Sequence, residues 1–209
     1  MPPKATGQRR RPSQERAVAT REHLLDTAAR LFGERGIANT STNRIAAEAG
    51  VSIGTVYRYF ADRSVMVEEL LARLLESIEQ RLTERVFGLG DRPILAQITS
   101  VLEAVSDELA AKASLVRALA AGVQFYSSGI PEFEPRLRLL AKVIVIQLLG
   151  PGDDHRYDVM AFVLINTGFA AVLRASALEV SSAERREAIA MTAEMIAAWA
   201  EAERNGVVA

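Results

Sequence analysis

The chain has 209 residues, 49% of them apolar and 24% charged, enough for one sizeable hydrophobic core and a second, smaller unit. It contains no cysteine, which excludes a disulfide framework and a thiolate metal site and suits a reducing compartment such as the cytoplasm. A net charge of −1 argues against a uniformly basic nucleic-acid binder, yet residues 1–63 carry eleven Lys or Arg against six Asp or Glu while the rest is acidic. A basic front on an acidic body is the asymmetry expected when only one part of a protein meets phosphate.

The first stretch, MPPKATGQRRRPSQER, is basic and has no apolar run behind it. It reads as a disordered arm over residues 1–17, not as a secretory signal. Leu24, Leu25, Ala28, Leu31 and Phe32 then recur at helical spacing within residues 20–36, where Gly36 supplies a stop. Ser41 and Thr42 are N-cap types that open a second helix, with Ile45, Ala46 and Ala49 on one face and Gly50 at its end. Ser52 caps a third, very short helix that ends near Tyr59. The spacing therefore spells helix, three-residue turn, helix.

Asp62 caps a long amphipathic segment, residues 63–87, and residues 94–112 and 115–126 continue the helical period. The turn-rich insert SSGIPEFEP precedes an apolar run over residues 137–149, and Gly150, Pro151 and Gly152 stop it. Residues 157–178 predict another helix, and Ser181 with Glu184 forms a capping box that opens the last one, through Met191, Met195 and Trp199. The longest uncharged runs, such as residues 159–173, fall short of the roughly 20 apolar residues of a membrane-spanning helix. No stretch alternates as a strand does, so the prediction is an all-α chain of about nine helices.

The third helix, within AGVSIGTVYRYF, carries the chemistry. With about 100° per residue and Val56 turned inward, Phe60 and Ile53 share its buried edge, whereas Gly54 and Arg58 point the opposite way with Tyr57 and Thr55 flanking them. A glycine in an exposed first turn weakens a helix by about 1 kcal/mol relative to alanine, which makes sense where something must approach the backbone closely. DNA is such a partner: arginine forks onto guanine, a threonine methyl meets a thymine methyl, and tyrosine hydroxyls reach phosphate.

The run STNRIAAEAGVSIGTVYRYF, continued by ADRSVMVEEL, resembles the helix-turn-helix of the TetR/AcrR family of bacterial transcriptional regulators. The likeness covers about a quarter of the chain. It implies an N-terminal DNA-binding domain over residues 18–63 and a C-terminal ligand-binding and dimerisation domain over residues 64–209. It further implies a homodimer on a near-palindromic DNA operator, and a repressor released by a small, largely apolar effector. By position, Thr42, Ser52, Tyr57, Tyr59 and Arg63 match residues that hold phosphates, and Gly54, Thr55 and Arg58 fall where base edges are read; Ser41 is a further DNA-binding candidate, and Arg44 is either an added phosphate contact or a solvated charge. Two positions depart from the family pattern: Ile53 stands where a basic residue is common, and Arg63 where lysine is usual.

The resemblance also places a cavity among residues 94–167, where Arg117, Gln124, Tyr126, Gln147, Asn166 and Thr167 are the candidate polar handles. Gly168, Ala171, Ala175, Ala190, Ala193 and Ala197, beside Leu164, Val172, Met195 and Trp199, allow close helix approach, either within the chain or, as the resemblance implies, in a four-helix bundle formed by two chains. The basic arm would suit the minor groove or flanking phosphates. No cofactor is expected, and an enzyme is disfavoured: His23 and His155 lie far apart, and neither a Glu-x-x-His pair nor a phosphate-cradling glycine loop is present. The competing reading is a helical ligand-binding or oligomerisation module without DNA binding.

Overall fold

The computed structural model describes residues 11–86, 88, 90, 92–122, 130–177 and 181–206, and all its regular elements are helical. They are α1 (Arg11–Arg35), α2 (Thr42–Glu48), α3 (Ile53–Tyr59), α4 (Arg63–Val86), α5 (Ile94–Ala111), α6 (Ala113–Gly122), α7 (Ile130–Leu149), α8 (Asp154–Leu164), α9 (Ala170–Ala177) and α10 (Ser182–Arg204). A π-helical stretch, Ile165–Phe169, joins α8 to α9 without a break, so the described residues form nine rods. The residues up to Leu70 make one compact unit and those from Leu71 another, with α4 contributing to both.

In the first unit α2 packs on α1 and on α3. Leu24, Leu25, Ala28, Phe32, Ile45, Val56 and Phe60 are each at most 1% exposed, so the predicted apolar faces meet in one small core. Burying a side chain such as Phe60 contributes about 1.5–3 kcal/mol, and here that energy fixes which side of α3 is left outside. The turns are set by glycine: Gly36 (φ 80°) ends α1 and Gly50 (φ 67°) follows α2, both in the left-handed region that disfavours other residues.

Two starts differ from the sequence expectation. α1 begins at Arg11, so residues 11–17 are helical and not a disordered arm; residues 1–10 lie outside the described set. Apolar spacing is absent there, but Pro12 fits a first turn and adding a turn to an existing helix avoids a new nucleation cost. α7 begins at Ile130, inside the insert read as turns. Pro131 falls where no intrahelical N–H is needed, and Pro135 forfeits only one bond near the helix start.

In the second unit α5 packs on α9 and α10, α7 on α8, and α9 on α10. A cluster of Val145, Tyr157 and Met160, flanked by Leu149, Leu164 and Trp199, anchors one part of it. Gly168, Val172, Ala193 and Ala197, which the resemblance places on a face between chains, are instead buried inside this unit. The reason is visible at Gly168, where an added Cβ would lie 3.1 Å from Ile196 Cδ1. Small residues here admit a neighbouring helix of the same chain. Asp154–Ser176 is long and apolar enough to cross a membrane by length and composition, with 28% of that window buried.

Candidate nucleic-acid interface

α3 is a two-turn helix capped at its start by Ser52, whose Oγ accepts from Thr55 N at 3.2 Å and lies 2.9 Å from Thr55 Oγ1. The two hydroxyls share one hydrogen bond, which leaves a proton free to donate outward. Val56 and Phe60 are buried, and Ile53, Thr55 and Tyr59 are half-buried. Gly54, Tyr57 and Arg58 are exposed, Tyr57 by 55%. No described residue pairs with the Arg58 guanidinium, nor with that of Arg44, so both charges are open to solvent.

Gly54 has no internal justification. A Cβ there would meet only Ser52 Oγ, at an ordinary 3.8 Å, so the fold would accept alanine. What the glycine leaves is bare helix backbone on the outer surface.

α2 lies beside this face. Ser41 caps it, its Oγ accepting from Arg44 N at 3.2 Å. Thr42 Oγ1 and the Tyr57 hydroxyl stand 3.4 Å apart, too far for a strong bond but close enough to present two hydroxyls side by side. The structure thus brings Ser41, Thr42, Arg44, Ser52, Gly54, Thr55, Tyr57, Arg58 and Tyr59 onto the adjacent helices α2 and α3.

Arg63 is placed differently. Its guanidinium donates to the carbonyl oxygens of Ile37 at 2.8 Å, Thr40 at 3.1 Å and Ala38 at 3.3 Å, which ties the start of α4 to the α1–α2 link. Thr40, fully buried, donates its one hydroxyl proton to Gly36 O at 2.9 Å, with Leu31 O also within reach at 3.3 Å. Other braces escaped the sequence reading. Arg21 forms a bidentate pair with Glu69 and lies 5.0 Å from the centre of the Phe60 ring, and His23 Nε2 reaches Ala49 O at 3.2 Å. Arg30 is held by Glu34 and Glu48, whose hydrogen bonds raise its pKa further. Partners 18 to 48 residues apart leave no local signal in a single sequence.

The second unit contains a cavity of about 80 Å³ lined by residues such as Leu82, Val101, Val105, Ala141, Gly168 and Ile196. None of the expected polar handles among the described residues lines it. Arg117 and Gln147 are exposed, while Asn166 and Thr167 face outward and donate to Phe162 O at 2.8 Å and Val163 O at 2.7 Å. Gln124 and Tyr126 lie outside the described residues.

Residues 24–70 match the family described as bacterial regulatory proteins of the tetR family. Over 60 residues the chain is 42% identical to the HTH-type transcriptional regulator AcrR of Shigella flexneri. Its residues 24–70 are those of a TetR/AcrR-family regulator. The AcrR match covers 29% of this chain and only 28% of AcrR. A second match, to an HTH-type transcriptional regulator of Mycobacterium tuberculosis H37Rv, is 29% identical over 166 residues, 68% of this chain and 81% of that one. Among solved structures, SmeT, the repressor of the Stenotrophomonas maltophilia multidrug efflux pump SmeDEF, shares the fold with a TM-score of 0.67 at 21% identity, over 88% of this chain and 91% of its own.

Proposed function

We propose that this protein is a sequence-specific, DNA-binding transcriptional regulator that works in the cytoplasm as a homodimeric repressor released by a small effector. The observation that carries the reading is the outer side of α3: an unpaired Arg58, a glycine that packing does not require, and Thr55 and Tyr57 beside them. Arg58 is suited to a guanine edge, Thr55 to a thymine methyl, and the hydroxyls of Ser41, Thr42, Ser52, Tyr57 and Tyr59 to phosphate oxygens. Arg44 adds a charge for the backbone. Arg63 supports the interface from behind by holding the link before α2.

The partner copy has a face to fit. Val159, Phe162 and Val163 on α8, with Met191 and Met195 on α10, are large, apolar and 37–63% exposed. The α8 residues lie three and four positions apart and the α10 pair four apart, so each helix offers one face, and a two-fold axis would pack these faces as four helices. Effector binding would then favour one dimer geometry over another, and DNA affinity would change by the difference in effector affinity between the two.

A mobility-shift assay on the DNA flanking its own gene, followed by selection from a randomised pool, tests the reading. The expected result is a near-palindromic site with half-site centres roughly 34–36 Å apart, or a multiple of that. Failure to enrich any sequence from the pool would leave the competing reading, a ligand-binding or oligomerisation module.

A further inference from the structure

The second unit's cavity is unusual in what it lacks. All fourteen of its lining residues are aliphatic, aromatic or glycine, drawn from α4, α5, α7, the end of α8, the π-helical stretch, α9 and α10. The buried polar side chains of this unit are already matched. Gln97 donates to Arg92 O at 2.6 Å, and Ser106 and Ser176 bond to each other across α5 and α9 at 3.3 Å. Among the described residues no buried side-chain polar atom is left without a partner. Glu108, on the same helix as Val105, is held by Lys112 and Ser77.

We infer that this cavity binds an uncharged, hydrocarbon-like molecule, selected by shape with no hydrogen bond. Calling that molecule the effector rests on the regulator reading above; the binding itself does not. A carboxylate or ammonium entering here would lose its water and find no counter-charge, a penalty that apolar contact does not repay. An apolar cavity stays dry, and one of about 150 Å³ engineered in another protein takes up benzene. At about 80 Å³ this cavity is smaller than that, so benzene or an alkyl chain enters only by displacing the lining side chains.

The wall where such displacement would be felt is the π-helical stretch. Ile165, Gly168 and Phe169, three of its five residues, line the cavity. Because Gly168 has no side chain, the backbone comes within contact of Ile196 and of Leu102, whose Cδ2 would lie 3.9 Å from a Cβ at that position. An occupant that shifts Ile196 or Leu102 therefore bears directly on a turn whose hydrogen-bond pattern is already irregular, a feature common at functional sites.

The test uses the full-length protein with benzene, cyclohexane and n-octane as probes, and benzoate and octanoate as charged counterparts, read by calorimetry and thermal unfolding. At least one hydrocarbon should bind and raise the unfolding midpoint with concentration, and its carboxylate should bind at least about tenfold more weakly. Ala141→Leu, which adds three carbons to the wall, should abolish binding and raise the midpoint of the free protein. Should that variant fail to fold, Val101→Ala enlarges the space and should shift preference from benzene toward n-octane. A stabilised Ala141→Leu protein together with no hydrocarbon binding in the wild type would make the cavity a packing void and overturn the inference, as would tighter binding of the carboxylates. Mobility shifts run in parallel separate the two proposals. Hydrocarbon binding by a protein that recognises no DNA upholds the site and sinks the regulator reading; operator binding by a protein that takes up no hydrocarbon does the reverse.

Discussion

Arg58 and Arg63 lie five positions apart, and their surroundings give them different work. Arg58 is exposed on α3 with no described partner, so removing it costs the fold nothing that the structure shows. Arg58→Ala should lower operator affinity by about 1–3 kcal/mol, roughly 5- to 150-fold, and relax the preference at one base pair, with the unfolding midpoint unchanged. Competition selection on the variant reads the relaxed position directly. Arg63 holds three carbonyls of the α1–α2 link, and Arg63→Ala leaves them short of donors in a half-buried place. That variant should lose about 1–3 kcal/mol of stability in urea unfolding, with Arg63→Lys recovering part of it because an ammonium can still donate. A stable Arg63→Ala protein whose salt dependence of DNA binding falls by about one ion would return Arg63 to the phosphate-contacting role.

Elements were legible where the code is local. The caps at Ser41, Ser52, Asp62 and Ser181 all make the predicted bonds, down to the reciprocal pair in which Ser181 N donates to Glu184 Oε2 at 2.8 Å. Apolar periodicity likewise named the core of the first unit and, by subtraction, the outer side of α3. What stayed hidden is what distance in sequence hides: the Arg21–Glu69 brace, the Arg63 clamp, and the destination of Asn166 and Thr167, whose side chains satisfy carbonyls of their own helix. The π-helical stretch has no periodic signature in five residues, and the helical start at Arg11 has no apolar face to announce it.

The join between α4 and α5 is a further element-scale feature. Hydrogen bonds from Lys112 and then Ser77 pull the Glu108 carboxyl from its usual 4.5 down to about 2. Because the folded value is depressed, the stabilisation is complete above about pH 4.5 and is lost as the pH falls toward 2. The full shift would correspond to about 3 kcal/mol, but Lys112 and Arg81 are 41% and 56% exposed, so solvent screening reduces it to about 1–2 kcal/mol. Urea unfolding at a series of pH values should show Glu108→Gln less stable than wild type at pH 6, with the gap closing toward pH 2. A gap that does not change with pH would mean the cluster contributes packing and not charge.

For the whole molecule, the basic front and acidic body fit two parts that face different partners, and the exposed apolar stripes of the second unit are the face proposed above for a second copy. Val159, Phe162, Val163, Met191 and Met195 are large, apolar and exposed on two helices, and exposed apolar residues that gather into a patch mark association sites. In a two-fold contact the same patch meets itself, so charges placed on both stripes confront like charges across the axis whichever stripe faces which. Phe162→Glu combined with Met195→Glu should therefore give a folded monomer by light scattering and sedimentation. Operator affinity should fall by orders of magnitude with α3 untouched, because the second half-site is no longer bound by a tethered partner at high effective concentration. A wild-type protein that is monomeric at micromolar concentration, or a doubly charged variant that still dimerises, would remove this face from the account. The same α8 stripe lies on the one helix apolar enough to enter a lipid bilayer among the described residues, so vesicle flotation of the wild type supplies the control. Absence from the lipid fraction together with dimerisation is the pairing that a protein surface built to meet its own copy requires.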